Sequence, residues 1–594
     1  MPWVDDEDFS GQGGTRTALR ILGLARPHWR WVLAFAAAVA VVSLLDSVAT
    51  YLVKRIIDEG VARRDVAAVL QVVRLYAGLI AMQAIAVFAF ILVAGWLGER
   101  VQYELRRRSF DHLQTLSLSY FDRTAVGWIM ARVTSDSERI AHLVTWGLLD
   151  TTWAAFNIIS ALAFMLAINW KVALVVLAIV PVLIGAGVRF RQKIIVDVRR
   201  VRKVNSRITG AYNESIQGVR VIKALGRERA NAAEFAELAA EMYRSSYRAA
   251  WLSVLFLPLV QLISAAALGG IVWYGGSQVF AGTMTLGGVQ AFISYLTFML
   301  WPVQDLARVF AELQNTIASA ERVFSLLDAV PEVRDRQGAR VPGSLRGEIR
   351  FEGVSFAYQE GNPVFTNLDL VVPAGRTIAL VGPTGGGKST LVNLLCRFYE
   401  PRSGVIRIDG TDYTSLTLAG IYSRLGIVLQ DPHLFAGSIR DNIRYGRPGA
   451  SDAEVEQAAR AARAHDFVAT LEKGYEAQVG EGGNLLSVGQ KQLVSLARAV
   501  LADPDIFVMD EATSSIDTLT ERLIQQGMEA AMRGRTSFVI AHRLSTIRRA
   551  DCILVIEAGR ITEAGTHGEL MQARGHYYSL YSRQFVDLAL EAAG

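Results

Sequence analysis

Charge is scarce in this 594-residue chain: Asp, Glu, Lys and Arg make up 20% of it against 52% hydrophobic residues, and the mean hydropathy is +0.28. A soluble chain of this length usually carries more charge, so the balance suits a membrane region joined to a soluble part. Cysteine is scarce too. Cys396 and Cys552 are the only two, and neither has a Cys or His at metal-ligand spacing, which argues against a zinc centre and fits a reducing compartment. The N-terminus lacks a short apolar core with a small-residue cleavage site, so no removable signal peptide is expected. The net charge is +5 and the pI near 9.1. Basic residues crowd the loops between apolar segments, as cytoplasmic loops of membrane proteins do, and no nucleic-acid partner is expected.

What the chain has in quantity is apolar run. Six occur in the first half, near residues 31–53, 69–97, 143–168, 172–188, 254–281 and 286–310. Five approach or exceed the ~20 residues that cross a bilayer as a helix, and the fourth is near the lower limit. Six transmembrane helices are therefore expected. Arg100, Arg106, Arg107 and Arg108 follow the second run, and Arg189, Arg191, Lys193, Arg199, Arg200, Arg202 and Lys203 follow the fourth. Both segments, and with them both termini, are expected inside. Lys54, Arg55, Arg63 and Arg64 disagree, partly offset by Asp58, Glu59 and Asp65. Residues 98–142 and 189–253 read as helical extensions, with turns expected at 117–122 and 210–214. Asp46 and Asp305 fall within spans, and Asp150 lies shallower; such residues usually face a cavity or a partner helix, and their roles stay open. Trp273, Tyr274, Phe298 and Trp301 concentrate aromatics in the last two spans, and Pro302 is placed to kink the sixth.

Composition shifts near 341–347, where Pro342, Gly343 and Gly347 precede short β-rich runs. The expected domains are 1–340 and 341–594. Runs at 349–356, 377–381, 404–408, 426–429, 506–509, 536–540 and 552–557 read as strands alternating with helices, an α/β domain with a largely parallel sheet.

Between strand 377–381 and the following helix lie Gly382, Pro383, Thr384, Gly385, Gly386, Gly387, Lys388, Ser389 and Thr390, which fit G-x-x-x-x-G-K-[ST]. Glycines let backbone N–H groups and the helix N-terminus cradle phosphates, Lys388 reaches the β- and γ-phosphates, and the Ser389 hydroxyl binds Mg²⁺. Asp510 and Glu511 end an apolar strand; paired with a phosphate loop, Asp510 suits Mg²⁺ and Glu511 a water-polarising base. Tyr358 is spaced either to stack on a base or to be a half-buried packing residue. Gln430 and His542 each follow a strand, at the end where ligands gather in open α/β sheets.

Leu486-Ser487-Val488-Gly489-Gln490, taken with the phosphate loop, resembles the LSGGQ signature of the ABC transporter family. Six spans ahead of one ATP-binding domain resemble an exporter half-transporter of the multidrug and lipid-flippase kind. The resemblance implies a six-span α-helical transmembrane domain followed by an α/β P-loop ATPase domain that uses ATP and Mg²⁺. It makes Tyr358 the residue that stacks on adenine, Gln430 a Mg²⁺ contact that senses the membrane half, His542 a γ-phosphate contact, and Glu511, His542, Gln430 and Lys388 the catalytic set. It likens 478–483 to the exporter X-loop and 514–517 to the D-loop, and makes the turns near 120–122 and 212–214 coupling helices. It also implies that Ser487, Val488, Gly489, Gln490 and Asp517 act on the nucleotide of a second chain, so a second half-transporter is required. Val488 departs from the family's glycine, where a slightly altered fit is expected. Similar variants in heterodimeric exporters favour a heterodimer slightly over a homodimer. The expected substrate is an amphipathic small molecule, a drug or a lipid, moved out across the plasma membrane; a lipid flippase is the alternative. An ATP-gated channel or a non-transporting regulator is the weaker class, because Lys388, Glu511 and His542 are all present.

Overall fold

The protein, a computed structural model, is described over residues 14–510, 517–541 and 544–582. Its contacts divide it into two compact units, residues 1–114 with 126–329 and residues 115–125 with 330–594.

The first unit is helical. Its chain runs through α1 (Trp29–Arg55) and α2 (Val66–Leu113), and the short α3 (Leu118–Arg123) then belongs to the second unit. It returns through α4 (Ser137–His142), α5 (Leu148–Ile168), α6 (Trp170–Gln217), α7 (Glu228–Phe280) and α8 (Leu286–Leu327). Local chemistry sets the starts. Asp65, Asn169 and Thr285 cap α2, α6 and α8 by accepting backbone N–H bonds that the first turn cannot satisfy. The helices α5 to α8 close around Met165, Val176, Ile271, Phe292 and Tyr295. A second cluster joins Leu97 and Leu105 of α2 to Ile140 of α4 and Val323 of α8.

Among the described residues, four stretches are long and apolar enough to cross a membrane: Arg16–Val61, Val66–Leu113, Val126–Ile168 and Pro258–Phe280. Leu286–Met299 is a shorter apolar helix. The expected fourth span, 172–188, lies on α6, where many side chains fall outside the described residues. Two of the basic residues that disagreed with the loop pattern are paired one turn apart, Lys54 with Asp58 at 3.0 Å and Arg55 with Glu59 at 2.7 Å.

The second long turn differs from its expected place. Residues 210–214 are continuous helix in α6, and the chain turns only after Gln217, at Gly218, into a short helix, Val219–Ala224. An isolated Gly210 costs about 1 kcal/mol relative to Ala but does not end a helix, whereas Gly218 caps this one. Within the spans, Asp46 accepts from Gln83 at 2.5 Å, and Tyr295 donates to the Ser47 carbonyl at 2.8 Å. Asp150 has interactions of its own, and the Asp305 side chain lies outside the described residues.

Among its described residues the second unit holds two sheets. Antiparallel β1 (Ile349–Phe356), β2 (Phe365–Val372), β4 (Ser403–Ile408) and β5 (Thr411–Asp412) are ordered β2-β1-β4-β5. The other sheet contains β3 (Thr377–Val381), β6 (Leu425–Val428), β7 (Ile506–Asp510), β8 (Thr536–Ile540), β9 (Cys552–Glu557) and β10 (Arg560–Gly565), ordered β10-β9-β3-β8-β7-β6. It is parallel except for the β10 edge. Its central strands are apolar through their interiors, with polar residues such as Thr377, Ser537 and Asp510 near the ends, because both faces are covered. Ala379, Phe507, Val539 and Ile553 point into one core, while Ile378, Leu380, Val508, Phe538 and Leu554 point into the other, as a side-chain period of two requires.

Candidate functional site

The carboxyl ends of the parallel strands bring the phosphate loop, Asp510 and Gln430 to one side of the sheet. The loop after β3 runs from Gly382 into α9 (Lys388–Leu395), Asp510 ends β7, and exposed Gln430 stands two residues beyond β6. The register pairs Asp510 with Ile540 and Met509 with Val428, so these ends lie on one side of the sheet. Glu511 and His542, which follow Asp510 and Ala541 directly, lie outside the described residues, as does the 514–516 part of the D-loop.

The loop's glycines are forced by the backbone. Gly382 has φ 148°, and a Cβ there would stand 2.1 Å from the Ile556 carbonyl oxygen; one at Gly386 would stand 2.7 Å from the same atom. Gly387 has φ 115°, a left-handed conformation at the cap of α9. Gly385, at φ 81°, has open space where its Cβ would be. This wraps the loop around the N-terminus of α9, whose free N–H groups and dipole suit an anion. The Lys388 ammonium donates to the Gly382 and Pro383 carbonyls at 2.8 and 2.9 Å. Burial lowers its pKa, and the charge of Asp510 opposes that effect. Ser389 is exposed and Thr390 buried. The oxygens of Ser389, Asp510 and Gln430 form a hard donor set that fits Mg²⁺.

Tyr358 is part of an aromatic group. Its ring meets Phe356 at 4.9 Å and Tyr399 at 5.0 Å, both edge-on. Its hydroxyl donates to Thr390 Oγ1 at 3.2 Å and accepts from Asn393 at 3.1 Å. Tyr399 in turn donates to Asp122 of α3 at 2.5 Å, and Arg123 reaches Glu332 at 2.7 Å and the Tyr358 carbonyl at 3.4 Å. Burial first, and then Asp122, holds the Tyr399 hydroxyl protonated well above the usual tyrosine range. Asn393 and Tyr399 carry no local pattern, and Asp122 stands out in the sequence only as part of the turn at 117–122; the fold brings the three together.

Ser487 caps α11 (Val488–Leu501), which follows α10 (Ile439–Arg444) in the chain. Its side chain accepts from the Gln490 N–H, and the Gln490 side chain accepts from the Ser487 N–H, a reciprocal capping box. Val488 is the first helical residue and has no positive φ, so valine meets no backbone strain where the family has glycine. Its side chain is half exposed and Gly489 is buried. Asp517 caps α12 (Thr518–Met532) through the N–H groups of Leu519 and Thr520, bonds that hold its carboxyl below the usual range. Among the described residues no hydrogen bond or ion pair joins 487–490 or Asp517 to the phosphate loop.

Arg498, on α11, pins the segment after Gln430. It donates to the His433 carbonyl at 3.1 Å and the Asn442 carbonyl at 2.9 Å, and it faces the Phe435 and Tyr445 rings.

Comparison with known proteins agrees with this arrangement. Residues 32–303 match the family model for the ABC transporter transmembrane region, and residues 365–514 match that for the ABC transporter. An ATP-dependent lipid A-core flippase of Chromohalobacter salexigens is 37% identical over 568 residues, covering 95% of this chain and 97% of the relative. A fatty acid ABC transporter ATP-binding/permease protein of Mycobacterium tuberculosis is 40% identical over 518 residues, 87% of this chain and 82% of that one. An uncharacterised ABC transporter ATP-binding protein of Bacillus subtilis, YknV, is 37% identical over 530 residues, 89% and 88% of the two chains.

Proposed function

The chain belongs to the ABC transporter family, and from that premise we propose that it is one half of an ATP-driven exporter of amphipathic molecules. The observation that carries this reading is the fusion, in one chain, of an apolar helical region to a phosphate loop, an acidic strand end and a signature helix. ATP hydrolysis drives the transport. Gly382–Thr390 backbone N–H groups and Lys388 hold the phosphates, and Tyr358 stacks on the base. Ser389, Gln430 and Asp510 would hold Mg²⁺, which would supply neutralisation of phosphate charge when bound. Glu511 polarises the attacking water, and His542 contacts the γ-phosphate. Ser487, Val488, Gly489, Gln490 and Asp517 act in trans, a reading consistent with the lack, among the described residues, of a hydrogen bond or ion pair from 487–490 to the chain's own phosphate loop.

A second half-transporter completes two such sites. A different chain is favoured slightly over an identical one, because Val488 replaces the family's glycine. The six apolar runs span the plasma membrane, with the domains divided near residue 341 and both termini and the ATPase domain in the cytoplasm. ATP-driven closure draws the halves together and opens the substrate path outward; hydrolysis resets it. Among amphiphiles, a lipid is the second reading, favoured by the flippase relative, with which the chain shares nearly its whole length.

Sealed inside-out vesicles holding the chain and its partner test the proposal. ATP-dependent accumulation of a labelled amphiphile is expected for the native chain and its loss for Glu511→Gln; accumulation that survives Glu511→Gln overturns it. Labelled lipids run beside labelled drugs separate the two substrate readings.

A further inference from the structure

Tyr358 presents two ends to the rest of the second unit, and they lead to different places. Its hydroxyl is bonded to Thr390 Oγ1 and to Asn393, both on the helix that follows the phosphate loop. Its ring meets Tyr399 at 5.0 Å and an interplanar angle of 88°, and Phe356 at 4.9 Å and 84°. Phe356 also meets Tyr399, at 5.6 Å, so the three rings brace one another. Phe356 and Tyr399 are buried, whereas Tyr358 is half-buried.

Tyr399 carries the ring contact onward. It stands four residues beyond the end of α9, is 5% exposed, and donates through its hydroxyl to Asp122 of α3 at 2.5 Å. The neighbouring Arg123 reaches the Tyr358 carbonyl at 3.4 Å. Consecutive residues of α3 therefore hold Tyr358 from two directions, one through a ring and one at the main chain. An edge-to-face pair depends on the separation and angle of its rings. A base lying on Tyr358 restricts that ring, and with it the contact to Tyr399. A phosphate acts only on the loop and on the partners of the hydroxyl. With six residues, α3 has too little stability of its own to mask a change in what holds it.

We propose that Tyr399 is a positioning residue through which the nucleotide's base, separately from its phosphates, steadies α3. The proposal rests on the reading of Tyr358 as the residue that stacks on the base, and deepens it by giving that stacking a second role. In the chain, α3 lies between the second and third apolar runs, so base occupancy acts on the segment that joins them. The protein thereby distinguishes a nucleotide from a bare triphosphate.

Amide exchange over 118–123, read by mass spectrometry, tests this in the full chain in nanodiscs, with Glu511→Gln throughout to keep the nucleotide intact. Each ligand is added with Mg²⁺ until the melting temperature stops rising. ATP is expected to slow exchange about two- to tenfold more than inorganic tripolyphosphate does, the range an edge-to-face aromatic pair supplies. Tyr399→Phe and the surface substitution Asp122→Ala should each abolish that difference while the melting temperature still rises with ATP. Tyr358→Phe, which keeps the ring, should retain it. Equal slowing by ATP and tripolyphosphate, or a difference that survives Asp122→Ala, overturns the proposal. Loss of the difference in Tyr358→Phe overturns it too, because the route then runs through the hydroxyl and the phosphate-loop helix. Fluorescent-ATP affinity of Tyr358→Leu keeps the two readings apart. Unchanged affinity sinks base stacking and the relay with it, whereas weakened affinity beside equal slowing by the two ligands sinks the relay alone.

Discussion

Gly382 has a backbone conformation of φ 148° and packs against the Ile556 carbonyl, leaving no room for a methyl group. Gly382→Ala should therefore strain the loop by about 1–3 kcal/mol. A lower melting temperature and a loss of fluorescent-ATP binding are the expected readouts. Cys396 gives a pH prediction. Complete burial pushes its thiol up to about 12, against about 8.5 in an unfolded chain. The unfolded state loses that proton first, so this contribution to stability is whole below pH 8.5 and declines as pH rises from there toward 12. Melting at stepped alkaline pH should show a shallower decline in Cys396→Ala, and a maleimide at pH 8 should leave Cys396 of the folded chain unmodified. Position 488 shows what a motif alone leaves open. The valine departs from the family pattern by letter, yet its backbone is ordinary helix, which is a matter of φ and not of residue name.

At the scale of elements, α3 is the most informative. Its six residues are too few to be stable as an isolated helix, and Asp122 and Arg123 fix it to Tyr399, Glu332 and the Tyr358 carbonyl. Tyr399→Phe removes one hydrogen bond to a charged group, worth about 1.5–3 kcal/mol. Amide exchange over 118–123 should then speed up at least about tenfold, measured by mass spectrometry; unchanged exchange would show that α3 is held by other contacts. The strands divide by how they were readable. Those at 349–356, 377–381, 536–540 and 552–557 were legible to the residue because apolar runs between turn residues leave few alternatives. Strands β2 and β10 were not. Asn367 interrupts β2 with φ 53°, and β10 is a half-exposed edge with no apolar run. The antiparallel sheet escaped notice with them.

For the molecule as a whole, the family and the shape of the glycine-rich loop were legible from motifs, because glycines, lysine and acids at fixed spacing carry their chemistry locally. The Arg322–Asp136 ion pair was not: its partners are 186 residues apart and meet only once the helices pack. Nucleotide binding should register globally. ATP at a hundredfold over its dissociation constant stabilises the form that binds it by about 2.7 kcal/mol, so Glu511→Gln with ATP and Mg²⁺ should melt well above the same protein without nucleotide, and Lys388→Ala should not. The division into units has one more consequence, which concerns synthesis. Asp122 leaves the ribosome 277 residues before Tyr399, the side chain it bonds. At roughly 5–20 residues per second, α3 waits about 15–55 s without its docking surface. During that interval α3 lacks the contact that fixes it, so slowing translation beyond residue 125 should raise the yield of misassembled protein.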